Sequence, residues 1–533
     1  MARNRNLAAA KKAKNDEFCT QPTSKRFVLT MPLRYEPWQR DYLDKIFRVA
    51  GNMYNNLVAD RKKALEQLER TRKWRTVQSS LRAAYKAVGD SKTKKIQALC
   101  AERNELLRAY GFSDYAFQAR IKKWRNPYAH LIGSKVAQKI ASAVWRQFEA
   151  YLFGNGRHIS FKPHTEFRSI EGKTNGANIR YKEDRLFIGK KLSIPVVAAR
   201  NDYEREALSC KVKYCRIVRV PWKDGGWLYR LQLTLEGTPP VKRRDDGTAR
   251  HAIGSGRTGI DIGTQTVAIV GDSALELSEL APKANLQEKM LRRVMRKMDR
   301  SRRATNPAFF NQETGEAIRR DKLPPGLLDG RGHRKWVESK SYRKLAGQRR
   351  YLYAKLARTR RCEHQAMANR FLAYGDCFYV ETMNFKGLAK KAKRQPPAPG
   401  EKEKRRKRFG KSISNKAPAL FLDILDKKVQ DGGGSFYRIQ TWAAKASQYD
   451  HTNGTYQKKS LSARWARLSD GHRVQRDLYS AYLLKNTNDT LDGFVQHLLE
   501  EGFELFLDMH DKEVERLSHI RTPSGTGVKY LSA

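Results

Sequence analysis

Three acidic residues stand at positions where a buried strand or helix would normally carry an apolar side chain. Asp261 lies within I-D-I-G, Glu381 within Y-V-E-T-M and Asp477 within R-D-L-Y-S-A-Y. A carboxylate removed from water must be paired, neutralised or bound to a metal, because desolvating an ion is costly. Magnesium prefers oxygen ligands, and a pair of such ions can clamp the attacking and leaving oxygens of a phosphodiester. If the fold brings the three acids together, their chemistry is that of a nuclease or a polymerase.

Two strands and a helix must position these acids. Residues 258–271 are apolar and β-prone and predict a strand around the first acid, whereas residues 376–383 predict a strand that ends near the second. The run 478–484 predicts a helix directly after the third acid. Gly263 closely follows the first acid, and a glycine there lets the backbone come near a substrate phosphate.

Two basic helical stretches, residues 286–303 and 342–371, lie between the two strands and predict a helical hairpin. The first stretch repeats apolar residues at four-residue spacing, and these predict its packed face: Leu286, Met290, Val294 and Met298. Its other faces are rich in arginine, of which Arg292, Arg293 and Arg296 are candidate contacts to nucleic-acid phosphates. The alternative for these arginines is a solvated face without a ligand.

The N-terminal half changes character twice. Residues 1–25 are basic with little apolar periodicity and predict a flexible arm. Apolar residues then recur every three or four positions as far as residue 153, which predicts packed helices, and from 158 to 236 the period becomes two, which predicts strands. Cys210 and Cys215 lie in this β region at a spacing that does not fit a zinc site, so we interpret them as small apolar strand residues.

The composition indicates a polyanionic partner. The 533 residues include 107 Lys and Arg against 55 Asp and Glu, a formal net charge of +52. Such an excess repels itself unless a polyanion lies beside it, so nucleic acid is the expected partner, ahead of an anionic membrane or an acidic protein. Hydrophobic residues make up 40% of the chain, enough for several cores, and this excludes wholesale disorder.

The highest local charge density lies in residues 390–411, which contain 11 basic and 2 acidic residues. Three prolines interrupt the segment, so we expect it to become ordered on phosphate, with Lys404, Arg405 and Arg406 as candidate contacts. The alternative is an unbound, disordered loop.

Several classes of protein are excluded. No apolar run approaches the roughly 18 residues that a membrane helix requires, and no secretory signal is recognisable. The six cysteines are too sparse and scattered for a disulfide framework, which fits a reducing compartment. We therefore expect a cytoplasmic protein that does not contact a membrane.

The order and context of the three acids resemble those of a known family. G-I-D-I-G on a first strand, V-E-T-M-N on a later strand and R-D-L-Y-S-A on a helix resemble the motifs of the split RuvC domain of TnpB. TnpB is the transposon-encoded, RNA-guided DNA endonuclease family related to type V CRISPR effectors. The resemblance covers most of the chain. E-T-M-N stands where the family usually has E-D-L-N, and Tyr479 stands where many members have Asn, but both changes leave the carboxylates intact.

The resemblance implies a fold that combines α/β and α+β parts in several domains: a ribonuclease H-like RuvC nuclease domain, a β-rich wedge domain and a helical recognition lobe. The implied divisions are a basic flexible arm (1–25), a first wedge segment (26–44), the helical recognition lobe (45–153), the wedge β domain (154–250), the first part of RuvC (255–385) with the helical hairpin inserted at 284–372, a basic lid and target-nucleic-acid-binding insert (386–475), and the last part of RuvC with an acidic C-terminal helix (476–533).

The resemblance also implies an activity. Asp261, Glu381 and Asp477 would be the catalytic residues and would bind Mg²⁺, with two ions expected, so that an activated water attacks the phosphorus. A guide RNA would select the double-stranded DNA target by base pairing, while the protein checks a short adjacent motif. The expected setting is the prokaryotic cytoplasm, in association with the nucleoid.

One departure from the family concerns zinc. Many members carry two C-x-x-C pairs in the insert, but residues 436–476 contain no cysteine, so no zinc is expected. The segment K-A-S-Q stands where the family often has T-S-Q, and this makes Lys445 and Gln448 candidate nucleic-acid contacts. His451 and His472 have no thiolate partners, so we interpret them as polar surface or nucleic-acid contacts.

Three alternatives remain open. A nuclease-silent, RNA-guided DNA-binding repressor is expected to lose its acids, and all three are present. A transposase of the same fold usually orders its acids Asp, Asp, Glu. A non-enzymatic RNA-binding protein explains the charge but not acids on apolar strands. We therefore predict an RNA-guided DNA endonuclease with one metal-dependent RuvC site.

Overall fold

The computed structural model describes most of the chain, namely residues 25–86, 92–176, 178–223, 225–330, 332–390, 409–457, 460, 463–520 and 526–528. The predicted contacts Lys404, Arg405 and Arg406 lie outside the described residues, as does the predicted arm at 1–25 except for its last residue.

The protein is a mixed helix-and-sheet protein with two compact units. Unit 1 contains the described residues up to Val220 together with Trp227–Pro240. Unit 2 contains Pro221–Gly226 and the described residues from Val241 onward.

Unit 1 is built from two sheets and a group of helices. Its strands are β1 (Arg26–Pro32), β2 (Ser169–Glu171), β3 (Ile179–Lys182), β4 (Arg185–Ile188), β5 (Leu192–Pro195), β6 (Val212–Pro221) and β7 (Trp227–Glu236). Its helices are α1 (Pro37–Arg70), α2 (Arg72–Lys86), α3 (Lys92–Ala109), α4 (Asp114–Arg120), α5 (Lys122–Arg125), α6 (Ser134–Leu152) and α7 (Asp202–Ser209). The first sheet has the strand order β1-β7-β6-β2 and the second the order β3-β4-β5.

Alternation and helical periodicity explain the core of unit 1. Phe27, Leu29 and Met31 occupy every second position of β1 and are buried, as strand geometry requires. The stripe that predicts the first packed helix is also buried along α1, for example at Leu43 and Leu57, so that prediction is confirmed.

Unit 2 contains the elements that carry the three acids. Its strands are β8 (Arg257–Ile262), β9 (Thr266–Val270), β10 (Leu275–Glu279), β11 (Cys377–Glu381), β12 (Ser435–Ile439), β13 (Tyr449–Asp450), β14 (Thr455–Tyr456), β15 (Trp465–Arg467) and β16 (Arg473–Gln475). Its helices are α8 (Ala284–Thr305), α9 (Lys340–Phe371), α10 (Phe385–Leu388), α11 (Gly410–Lys416), α12 (Pro418–Asp431), α13 (Thr441–Ala444), α14 (Arg476–Lys485), α15 (Gln496–Glu501) and α16 (Phe503–Ser518).

A five-stranded sheet with the order β10-β9-β8-β11-β12 forms the centre of unit 2. Strand β9 is antiparallel to both β8 and β10, whereas β11 is parallel to both β8 and β12. Helices cover both faces: α9 and α12 pack on one face through Phe371 and Phe421, and α14 and α16 pack on the other through Leu478 and Phe506. This layering is that of an α/β unit.

The predicted helical hairpin is present as α8 and α9, but the predicted packed face of α8 is confirmed only in part. Met298 is buried and Val294 packs on the same cluster as predicted, whereas Leu286 is 62% exposed and Met290 is 41% exposed. Leu291, which the spacing did not indicate, is buried. Leu291 packs against Leu352 of α9. The buried stripe therefore agrees with the predicted one in the C-terminal half of the helix and departs from it in the N-terminal half, where Leu291 rather than Met290 is buried.

None of the described helices combines the length and the apolar composition that crossing a membrane requires.

Candidate active site

Adjacent strands bring the first two acids to one face of the sheet. The parallel pair β8 and β11 is in register from Arg257 opposite Cys377 to Ile260 opposite Val380. Asp261 and Glu381 each come one residue after this last pair. Because Ile260 and Val380 point into the core shared with α9 and α12, the next residue on each strand points to the opposite face, toward α14.

Helix α14 brings the third acid to the same face. Asp477 is buried in its first turn, where the unpaired backbone amides of a helix favour negative charge. The helix lies unusually close to β8 at Gly259, where an added Cβ would overlap the carbonyl oxygen of Ala481 and the amide nitrogen of Lys485. A glycine two residues before Asp261 is therefore what allows the helix and the strand to approach.

The sequence singles out a different glycine, Gly263, and the predicted strand over 258–271 is in fact two strands. Gly263 lies in the turn between β8 and β9, where its amide donates to the carbonyl oxygen of Thr266 at 2.9 Å. A Cβ at Gly263 would make only ordinary contacts of 3.5 Å with Thr266. Steric contacts therefore require a glycine at position 259 and not at position 263. The approach of a phosphate at Gly263 stays a prediction.

The charges of the three acids influence one another. Burial raises the pKa of Asp261 well above its ordinary value, and the negative charges of Asp477 and Glu381 raise it further. Arg476 and Arg464 act in the opposite direction without cancelling these effects. The three acids that the sequence predicts therefore share one electrostatic environment, although they come from segments far apart in the chain.

Glu381 is held by a backbone amide that the sequence did not indicate. Burial raises its pKa to about 7, and a hydrogen bond from the amide of Ala446 opposes this shift. Lys445, directly before that amide, has a left-handed backbone with φ of 46°, which is uncommon outside glycine. The segment is also tied to the strand that carries Glu381, because the hydroxyl of Thr441 donates to the carbonyl oxygen of Thr382 at 3.0 Å.

Two arginines face Asp477. Nη1 of Arg464 lies 3.8 Å from one carboxylate oxygen, and Nη2 of Arg476 lies 3.6 Å from the other. Burial nevertheless raises the pKa of Asp477. Within the part of the chain that the structure describes, no group of three or more His, Cys, Asp or Glu side chains forms a ready ligand set for a metal ion. The three acids interact through their charges rather than through a closed set of contacts.

The C-terminal helix supports the strand end that leads to Asp477. The buried side chain of His510 accepts the amide of Gln475 through Nε2 at 2.9 Å. The side chain of Gln475 accepts the amide of Leu478 at 2.8 Å, which caps α14, and donates to the carbonyl oxygen of Thr526 at 3.0 Å. The acidic C-terminal helix packs on the core of the unit through Phe503, Phe506 and Leu517, and it also supports the helix that bears the third acid.

The predicted nucleic-acid contacts differ in their surroundings. Arg292 forms an ion pair with Glu288 one turn earlier, whereas Arg293 and Arg296 are exposed. Lys445 is exposed and its ammonium lies 5.8 Å from the ring centroid of Tyr456. Gln448 is half-buried, and its backbone amide donates to the carbonyl oxygen of Lys445 at 2.8 Å. Lys445 and Gln448 thus lie in the turn that presents Ala446 to Glu381.

The interpretation of His451 as surface is wrong. Its Nδ1 lies 2.8 Å from the hydroxyl of Tyr479, and its ring is buried with its centroid 4.4 Å from that of Phe503. His472 is exposed and pairs with Asp470 at 3.0 Å. Spacing alone could not distinguish the two, because aromatic neighbours from distant segments decide which histidine is enclosed.

Asp450 connects the two small hairpins β13-β14 and β15-β16. Its carboxylate accepts the amide and hydroxyl of Thr452 at 3.1 and 2.8 Å, and those of Ser469 both at 2.9 Å. Four hydrogen bonds to one carboxylate tie together segments 19 residues apart.

Comparisons with known proteins give distant structural matches. No family model and no curated protein matches the chain. A cryo-EM structure of the Cas12f1–sgRNA–target DNA complex matches with a TM-score of 0.44 and 10% identity, covering 86% of this chain and 84% of that chain. A cryo-EM structure of a CRISPR–Cas12f ternary complex matches with a TM-score of 0.26 and 12% identity, covering 86% and 82%. At this level of similarity neither match decides the fold or the function of this chain.

Proposed function

We propose that the protein is an RNA-guided DNA endonuclease that hydrolyses phosphodiester bonds at a single site formed by Asp261, Glu381 and Asp477. The observation that carries this proposal is the convergence of three acids from two strands and a helix, where burial and mutual repulsion raise the pKa of Asp261. Perturbed carboxyl groups gathered in one place are typical of functional sites.

We infer that the sheet of unit 2 is the ribonuclease H-like core of a RuvC domain. Three antiparallel strands extended by two parallel ones, with acids at the ends of β8 and β11, are the arrangement expected for that core. The third acid on a helix packed against the central strand supports the same assignment. The wedge and recognition-lobe assignments in unit 1 rest on the resemblance to TnpB.

Magnesium is the cofactor that we propose for this site. The three groups offer only carboxylate oxygens, and burial together with the charges of Asp477 and Glu381 raises the pKa of Asp261, an effect that Arg476 and Arg464 do not cancel. We propose that Asp261, Glu381 and Asp477 hold two Mg²⁺ ions, which would supply Lewis acidity to the scissile phosphate. The chain itself orients these ligands: Ala446 fixes Glu381, and the Gln475 cap fixes the turn that bears Asp477.

A guide RNA and a double-stranded DNA target are the proposed partners. The net charge of +52 requires a polyanion, and exposed cations such as Arg293, Arg296 and Lys445 can contact phosphates. Selection of the target by RNA pairing is what the resemblance to TnpB implies.

The test is cleavage and binding by the protein purified with its RNA. We expect Asp261→Asn, Glu381→Gln and Asp477→Asn each to abolish cutting of a matched DNA target, because each removes one charge of the site while leaving its shape. DNA binding should persist within about threefold. Glu501→Gln removes an exposed carboxylate of the same unit and is the matched control, which should cut like the wild type. Cutting at the wild-type rate by any of the three variants contradicts the site.

A second candidate is an RNA-guided DNA-binding protein that does not cut. The pairing of Asp477 with Arg464 and Arg476 favours it, because an acid neutralised by arginine has less need of a metal. Binding of matched DNA by the wild type, without cutting in the presence of Mg²⁺, would establish this alternative.

A further inference from the structure

Unit 1 contains an open cavity of about 280 Å³ that is lined mainly by charged side chains. Helix α6, strands β2 and β6 and the segment between α6 and β2 contribute to its wall. Five cationic residues face two acidic ones there: Lys139, Arg146, Lys162, Arg168 and Arg216 against Glu166 and Glu171. The cavity therefore has a formal excess of three positive charges.

One of the two acids is already engaged by two of the cations. Arg216 donates to Glu171 with Nη2 at 2.5 Å, and the ammonium of Lys139 lies 3.3 Å from the other oxygen of that carboxylate. These two cations and Glu171 form a pair network that holds β2, β6 and α6 together and leaves little charge for a ligand.

The other three cations have no such partner. Among the described residues, no carboxylate lies within ion-pair distance of Arg146, Lys162 or Arg168. Glu166, the remaining acid of the cavity, is exposed, and its charge acts on Lys162 less strongly than the opposing charge of Arg146 does. Most of the excess positive charge of the cavity thus lies on these three side chains.

Lys162 is held in place before any ligand arrives. Its backbone makes two hydrogen bonds with the side-chain amide of Asn55, at 2.8 and 2.9 Å, and its ammonium lies 4.4 Å from the ring centroid of Tyr54. Burial lowers the pKa of Lys162, and the charge of Arg146 lowers it further. A fixed, half-buried cation beside another cation is unfavourable alone and becomes favourable when an anion is bound.

We propose that this cavity binds a phosphate group of a nucleic-acid strand through Arg146, Lys162 and Arg168. Two guanidinium groups and an ammonium group suit the several oxygens of a phosphate, and the volume is close to the lower end of about 300 Å³ that is usual for ligand pockets. The identification of the anion as part of a nucleic acid rests on the proposed function. RNA and DNA share this chemistry, so the experiment distinguishes them.

The test compares two triple variants that remove the same charge. Arg146→Gln/Lys162→Gln/Arg168→Gln alters the cavity, and Lys94→Gln/Lys95→Gln/Lys135→Gln removes three exposed lysines of unit 1 that do not line it. The probes are fluorescein-labelled single strands of RNA and DNA of one sequence, each about 20 nucleotides long, titrated over a range of salt concentrations.

We expect the cavity variant to bind at least about tenfold more weakly than the control variant. Its salt slope should be lower by about 0.7 for each phosphate that the variant no longer binds. The probe that suffers the larger loss identifies the strand that occupies the cavity. Arg146→Lys/Arg168→Lys keeps both charges but loses the planar guanidinium donors, so it should lose clearly less affinity than the triple cavity variant. Equal thermal midpoints for all variants show that the fold is intact.

Equal losses in the two triple variants overturn the proposed cavity site and leave the proposed function standing, because they show only a long-range effect of charge. A loss in the Lys-for-Arg variant as large as that in the triple cavity variant overturns it too, since charge is then not what the cavity supplies. Wild-type protein that binds neither probe overturns the proposed function as well.

Discussion

Two opposing effects act on the carboxyl group of Glu381: burial disfavours its charged form, and a hydrogen bond from one backbone amide favours it. The balance leaves its pKa at about 7, far from the ordinary 4.5. Asp261 is shifted in the same direction by burial and by its two acidic neighbours. Residues that are unfavourable to the folded state in this way are expected where binding or catalysis repays the instability.

Glu381→Gln should make the protein more stable at alkaline pH. The pKa of Glu381 is higher in the folded chain than in the unfolded chain, so the folded state binds more protons between about pH 4.5 and 7, and the free energy of unfolding falls as pH rises through this window. Glutamine does not ionise, so the Glu381→Gln variant does not lose this part of the free energy of unfolding as pH rises. We expect a gain of about 2 kcal/mol at about pH 8 and none at about pH 4, measured by denaturant unfolding with EDTA present.

The exposed carboxylate of Glu501 provides the comparison at the same two pH values. Glu501→Gln should leave the free energy of unfolding unchanged at both. A stability of Glu381→Gln equal to that of the wild type at alkaline pH contradicts the raised pKa.

The sequence predicted the three acids because each interrupts an apolar pattern, a signal that lies within a few residues of the acid itself. It did not predict Ala446, Gln475 or His510 as supports, because these act through backbone amides or through contacts with distant segments. Arg464 was missed for a related reason: one arginine among 107 cationic residues carries no distinguishing pattern.

The approach of α14 to β8 is the contact between elements on which the site depends most directly. The carbonyl oxygen of Ala481, in the helix, lies directly over Gly259 of the strand. This close approach sets how far Asp477 is from Asp261. Leu478, Leu483 and Leu484 are buried along the same helix, so it cannot rotate away without exposing apolar surface.

Gly259→Ala is expected to destabilise unit 2 and to disturb the site. A methyl group would overlap backbone atoms of α14, which cannot move as a flexible side chain does. We expect a loss of about 3 kcal/mol in the free energy of unfolding, by thermal or denaturant melts, with cleavage reduced in parallel.

Gly263→Ala is the matched control, since its Cβ would meet only ordinary contacts. It should cost less than about 1 kcal/mol. If the two alanine variants are equally stable, the close packing of α14 on β8 is not what fixes the site.

The sequence predicted elements better than it predicted their faces. Residues 286–303 indicate the helix that the structure has as Ala284–Thr305, because apolar residues recur at four-residue spacing from Leu286 to Met298. The helix offers two apolar stripes, however, and only its packing against Leu352 of α9 decides that Leu291 rather than Leu286 is buried. The sequence of one helix does not show which element packs against it. Periodicity alone could therefore not predict which of the two apolar stripes of α8 is buried.

The whole molecule is dominated by its charge. A net charge of +52 on 533 residues repels itself in the absence of a polyanion, and salt weakens that repulsion. We expect the thermal midpoint of the nucleic-acid-free protein to rise between about 50 mM and 500 mM NaCl, and bound RNA to raise it at low salt. Differential scanning fluorimetry after removal of nucleic acid measures both effects.

A midpoint that falls with added salt would show the opposite, namely that attractive ion pairs outweigh the net repulsion. Potassium glutamate at matched ionic strength separates screening from specific chloride binding. Charge alone predicted a polyanionic partner, but it could not predict where a phosphate lies, because the cavity with Lys162 depends on which cations lack acidic neighbours in space.

The four hydrogen bonds of Asp450 have a practical consequence for handling the protein. The two small hairpins are joined through a carboxylate, and residues 436–476 contain no thiol that air could oxidise. Chelators and oxidants should therefore leave this part of unit 2 intact. In the proposed endonuclease, EDTA should therefore stop cleavage reversibly, and activity restored by added Mg²⁺ would report on the acidic residues themselves rather than on refolding.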